Sequence, residues 1–167
     1  MRNALLYIVL TSYLFPQEAV KNLDLERFMG KWFVISIIPN SIEQGCENSS
    51  DTYSLNKDGS ISVVYNATKN GKKVILRQRA KVIDTTHKST WKLRFTKPFI
   101  PFFRAPFKVI AIDDQYSYMV VGYPENKYGW VMSRTQTMDD ELYSQILSRL
   151  ESDFGYNTNL FTKVIHK

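Results

Sequence analysis

The stretch RFMGKWFVISIIPN, residues 27–40, sets a glycine two positions ahead of a tryptophan and then runs straight into apolar residues. A strand that begins with its bulkiest side chain, next to a flexible residue, suggests that Trp32 plugs something. The rest of the chain has to supply the thing plugged.

Downstream of residue 22 the pattern is mostly period two. KWFVISII is a first strand. DTYSLNKDGSISVVYN holds two strands around Asp58-Gly59, a hairpin signal, and VVYNATKNGKKVILRQRAKVI repeats the design around Asn70-Gly71. STWKLRF, PFKVIAID, YSYMVVGY and YGWVMSR bring the count to eight strands, nearly all joined by short turns. Sequential antiparallel strands of that number predict an up-and-down barrel, because closure removes the edges an open sheet would expose. Eight strands leave room inside for one small ligand, or for side chains that fill the space. Trp32 then closes one end.

One helix follows in TMDDELYSQILSRLESDFG. Thr137 is the expected N-cap, the acidic residues 139–141 suit the positive end of the dipole, and Gly155 suits the C-cap. Leu142, Ile146 and Leu150 form a stripe for packing on the barrel's outer wall. LFTKVI reads as a short last strand. The fold class is all-β: an eight-stranded antiparallel barrel with one C-terminal helix outside.

Composition narrows the function. The 167 residues are 44% hydrophobic, which suits one domain with a real core. A formal charge of +6 raises nucleic acid or an anionic membrane as partners, but the basic residues are dispersed without a Lys/Arg block, which argues against nucleic acid. One cysteine excludes an intrachain disulfide, and with His87 and His166 it makes no metal spacing. Phosphate-binding and nucleophile-elbow motifs are absent, so the expectation is a protein that is not an enzyme and needs no cofactor. Residues 1–19, with basic Arg2, the apolar run ALLYIVLTSYLF and small Ala19, read as an export signal ahead of a barrel domain at 20–167; an uncleaved amphipathic anchor is the alternative. No cysteine follows the apolar run for lipid attachment, so the expected location is periplasmic or secreted.

Strand parity assigns the inside. Leu76, Gln78, Ala80 and Val82 alternate with Arg77, Arg79 and Lys81, so the first set faces inward. By the same rule Trp91, Leu93 and Phe95 point in, as do Phe107 and Val109, and Trp130 with Met132. An aromatic and aliphatic lining with one polar group suits an apolar or amphiphilic ligand. Loops alternate between the two ends, so those around Cys46, Asn70, Pro101 and Asn126 rim the open end. In TKPFIPFFRAP the prolines forbid regular pairing, leaving Phe99, Ile100, Phe102 and Phe103 as a greasy entrance or an infolded lid. Lys69, Lys72, Lys73, Lys97, Arg104 and Lys127 would form a positive collar there, only partly offset by Glu43, Glu47 and Glu125. The collar suits an anionic amphiphile and equally an anionic membrane surface.

These motifs resemble a known family. Gly30-Lys31-Trp32 is similar to the lipocalin G-x-W signature, AIDDQY with Asp113 and Tyr116 to the second signature, and WVMSRT with Arg134 to the third. The resemblance runs from about Leu23 to the C-terminus and is closest in appearance to the bacterial and apolipoprotein-D-like branch. It implies that Arg134 lies across Trp32 at the closed end and that Asp113 and Tyr116 fix a turn there; parity argues against Asp113 and Asp114 as a catalytic pair. It also implies a small lipophilic ligand, with a fatty acid or lysophospholipid leading. A tetrapyrrole or pigment carrier is one alternative. An enzyme dependent on the unpaired Cys46 thiol is the other. A monomer and a homodimer are both open.

Overall fold

The computed structural model describes residues 18–167; the export-signal reading falls almost entirely outside the described residues. Eight antiparallel strands close on themselves: β1 (Gly30–Ile37), β2 (Cys46–Leu55), β3 (Ile61–Lys69), β4 (Lys72–Val82), β5 (Thr90–Lys97), β6 (Ala105–Ile112), β7 (Tyr118–Gly122) and β8 (Gly129–Ser133). Each pairs with its sequence neighbour, and β8 returns to β1, with Phe33 opposite Ser133. A short ninth strand, β9 (Thr162–Lys163), pairs with the far end of β1. The hairpin at Asn70-Gly71 turns with both residues at positive φ, the conformation Asn-Gly favours.

Alternation does what the charge pattern demands. Along β5, Trp91, Leu93 and Phe95 are buried while Lys92 and Arg94 are exposed. The outer wall is packed where the helix covers it: Ile35, Ile110, Val120 and Val131 pack against Tyr143, Ile146 and Leu150 of helix α2 (Asp140–Phe154). Asp139, not Thr137, caps that helix, its carboxylate accepting from the amides of Glu141 and Leu142. A carboxylate directly before the first helical residue reaches those amides, and two residues farther back Thr137 does not. Gly155 ends the helix in the left-handed region, as expected.

A four-residue helix, α1 (Leu25–Phe28), crosses the barrel's lower end just before Trp32. Phe28 and Trp32 are both fully buried. The Trp32 indole donates to the Phe28 carbonyl at 2.8 Å. The Arg134 guanidinium lies 3.7 Å from the centre of the indole ring and donates to the carbonyls of Arg27, Phe28 and Lys31. Gly30 has φ +98°, and a Cβ on it would come 3.2 Å from Arg134 Nη1. Flexibility and close approach both explain the glycine ahead of the tryptophan. Asp113 ties the neighbouring turn, accepting from Ser117 and Tyr118, while the Tyr116 hydroxyl accepts from the Asp24 amide.

Candidate ligand-binding cavity

The barrel is solid below and hollow above. In the lower half Phe28 meets Tyr53, Trp91 and Phe107, and Trp91 stacks on Phe107 with centroids 4.6 Å apart. Above this layer a cavity of about 400 Å³ opens between the β1–β2, β5–β6 and β7–β8 connections. That volume lies in the ordinary range for small-molecule sites.

Parity separated inside from outside but not upper from lower. Leu76, Gln78, Leu93, Phe95, Phe107, Trp130 and Met132 line the cavity. Ala80, Val82, Trp91 and Val109 do not: they face inward at the level that Phe28 and Trp91 fill, so no surface of theirs reaches the hollow. At the entrance Phe103 turns in, packs on Phe95 at 5.4 Å between centroids and joins the lining. Phe99 and Phe102 turn out, Phe102 being 95% exposed. Lys72 and Lys73 stand exposed on the β3–β4 hairpin, outside the lining, whereas Lys127 lines the cavity itself. Cys46 lies at the start of β2 rather than in the preceding loop, and its buried thiol faces the Ile42 carbonyl at 3.7 Å.

Two acids stand on the wall: Glu43, expected on the rim, turns inward, and Asp51 is named by no sequence signal used above. Glu43, carried inward by the β1–β2 connection, accepts from the Trp130 indole at 3.1 Å and from the Asn40 amide. Asp51 projects from the middle of β2, and its nearest donor is the Tyr53 hydroxyl at 3.5 Å. Both acids face the cavity rather than bulk water. Burial raises the Glu43 carboxyl; burial, reinforced by repulsion from Glu43, pushes Asp51 up to about 8. Burial raises the Tyr53 and Tyr65 hydroxyls too, Tyr53 further by both acids and Tyr65 further by Glu43. The available signal was the shared parity of Asp51 and Tyr53: a strand with an inward tyrosine places the acid two residues earlier on the same face.

A closed eight-stranded barrel, a tryptophan floor under an arginine and a blind cavity are together a family's architecture. The model of the lipocalin-like domain matches residues 23–166. The chain is a lipocalin. Temperature-induced lipocalin-1 of Arabidopsis thaliana is 32% identical over 153 residues, covering 87% of this chain and 81% of the relative. The outer membrane lipoprotein Blc of Citrobacter freundii is 33% identical over 140 residues, covering 84% and 77%. Within the family, this lipocalin therefore sits with the Blc-like branch. Among solved structures, insecticyanin from the tobacco hornworm Manduca sexta superposes with a TM-score of 0.69 at 17% identity, covering 87% of this chain and 82% of that one. Apocrustacyanin C2 gives 0.68 at 12%, covering 86% and 80%; both show the shared fold. Lipocalins bind small hydrophobic ligands, and the cavity is where this one has space for such a molecule.

Proposed function

We propose that this lipocalin is exported and carries or stores a single-chain amphiphile, a fatty acid or lysophospholipid, with its chain in the cavity and its head group towards the mouth. The observation that carries this reading is the asymmetry of the lumen: blind and filled with rings below, open and apolar-walled above, with Lys127 in the lining and Lys69 bonded to the Ile42 carbonyl. Burying the chain supplies about 25 cal/mol per Å² before the costs of ordering it. The rest of the Lys collar adds long-range attraction for an anionic head or an anionic lipid surface, screened by salt. The outward Phe99 and Phe102 would give the mouth a contact with that surface.

Titration of the purified protein with a fluorescent fatty acid tests the reading. Saturable binding, lost when Leu76→Trp fills the upper lumen, is expected. Binding untouched by that substitution would place the ligand elsewhere. Mass spectrometry of the native protein from its own host would name the ligand directly.

A further inference from the structure

The wall of the cavity has a polarity that its apolar lining does not account for. Asp51 and Glu43 are both aimed into the hollow, and among the described residues no lysine or arginine is bonded to either. Glu43 is held by two donors, the Trp130 indole and the Asn40 amide. Asp51 is not held: its one contact, 3.5 Å to the Tyr53 hydroxyl, sits at the limit of a hydrogen bond. The Tyr53 side chain is 2% exposed and has that same long contact as its hydroxyl's hydrogen bond. Buried polar groups are normally satisfied, because leaving one unmatched is costly, and more so when it is charged. Here an acceptor with spare lone pairs and a buried hydroxyl face the same open space. The aromatic faces of Tyr53, Tyr65 and Trp130 line that space as well.

With its acids ionised, such a wall repels an anion and attracts a cation that can donate hydrogen bonds. We propose that Asp51 and Glu43, framed by these rings, form a subsite for a protonated amine, so that the amphiphile in the cavity carries an ammonium group. The carboxylates accept the N–H donors, and the ring faces suit a positive charge. A cationic group on this wall also relieves the repulsion between the two acids. The inference rests on the amphiphile reading above and narrows it, from a plain fatty acid to an amphiphile whose head group includes an ammonium. It distinguishes the inner wall from the rim: lysines attract an anionic group outside, carboxylates a cationic one inside. A ligand bearing both charges meets both zones.

Decylamine and decanol, titrated calorimetrically into the intact protein at pH 9, where the Asp51 carboxyl is ionised and the amine still carries its proton, separate the two readings. The amine is expected to bind at least about tenfold tighter than the alcohol, the effect of one well-placed charge-assisted hydrogen bond. The preference should persist in high salt, because an enclosed pair is screened far less than a rim. Asp51→Asn, which keeps the shape, should reduce the amine-to-alcohol ratio to near one, and Glu43→Gln should reduce it in part. Glu43 lies in a connection rather than a strand, so the second variant keeps the test open if the first folds poorly. Equal binding of amine and alcohol overturns the subsite and leaves the amphiphile reading standing. A preference that survives both substitutions overturns the assignment to these residues. Failure of both probes to bind overturns both readings.

Discussion

At the closed end, the rings that meet come from four different elements. Phe28 of α1, Tyr53 of β2, Trp91 of β5 and Phe107 of β6 cross the lumen and touch, at centroid separations from 4.6 to 6.5 Å. At the open end the neighbouring rings run along one wall: Tyr123 on Tyr128 at 4.9 Å, and Tyr128 near Trp130 at 6.4 Å. The residue types are alike and the outcomes differ. What differs is a segment that reaches across. Below, α1 carries Phe28 into the axis of the barrel; above, the β1–β2 connection brings in Glu43, a group that needs polar company and cannot pack into a dry core. The lower lumen closes as a core, and the upper one stays a cavity.

The sharpest way to break this comparison is to remove the crossing residue. Phe28→Ala and Trp32→Ala should each cost about 3–5 kcal/mol, the usual loss for a fully buried aromatic. Urea unfolding reads the effect. Phe103→Ala at the other end should cost much less, since Phe103 is 41% exposed and borders empty space. Equal losses at the two ends would mean that the lower rings are no core.

A second pair of variants sharpens the boundary between the halves. Ala80 and Leu76 sit on the same face of β4, at different heights. Ala80→Trp inserts an indole where Trp91 and Phe107 already pack, and overpacking there should cost about 1–3 kcal/mol. Leu76→Trp points into the hollow, so it should abolish ligand binding with little loss of stability. Melting curves and titrations on the same samples decide it. If both variants melt alike, the solid layer does not reach Ala80.

This boundary marks how far the sequence could be read. Strand number, the hairpins at Asp58-Gly59 and Asn70-Gly71, and the inward faces of β4, β5, β6 and β8 follow from local rules: turn residues, alternation, and the refusal of Arg77, Arg79 and Lys81 to be buried. Trp32 under Arg134 followed from the family signatures. Depth along the axis had no local signal. Ala80 and Leu76 have the same parity, and only the arrival of Phe28 from a distant turn sets them apart. Glu43 was hidden for a related reason: it lies in a connection, where acids are usually solvated, and only the path of that loop turns it inward. Asp51 is legible in principle from Tyr53, but the inward faces of β1, β2, β3 and β7 were left unread.

The buried acid gives a third handle, with a sign that can be worked out. The folded protein holds the Asp51 carboxyl near 8, above its ordinary value of 3.8. Between those values the folded state keeps a proton that the unfolded state releases. Stability therefore falls as pH rises from about 4 towards 8 and levels off beyond. The groups facing Asp51 are Glu43 from the loop above, Tyr53 on its own strand and Tyr65 on β3, with Lys127 elsewhere in the lining as the cavity's cation. Asp51→Asn should remove that decline and stabilise the protein at pH 8 by about 1–3 kcal/mol, the usual cost of an ill-matched buried polar group. Urea midpoints at pH 5 and pH 8 give the answer. A variant that loses stability at pH 8 would show that the Asp51 carboxylate is better satisfied than its single long contact implies.

The smallest effect on stability belongs to the residue most exposed to water. Phe102, at 95% exposure, sits with a positive φ of 61° at the tip of the β5–β6 loop, between prolines that prevent pairing. Its ring contributes nothing to a core, so Phe102→Ser should change stability by no more than about 0.5 kcal/mol, as surface substitutions away from special features do. Its apolar area is nonetheless available to a partner phase. Phe99, 73% exposed, presents a second ring nearby, and Lys97 and Arg104 flank both. An apolar tip between cations suits the interface of an anionic bilayer, where the rings reach past the head groups and the charges stay among them. Sedimentation with anionic vesicles should therefore show binding that weakens in Phe102→Ser and weakens again in high salt. Retention of full vesicle binding by a Phe99→Ser, Phe102→Ser double variant would leave the charges alone as the cause and reduce the loop to an ordinary exposed turn.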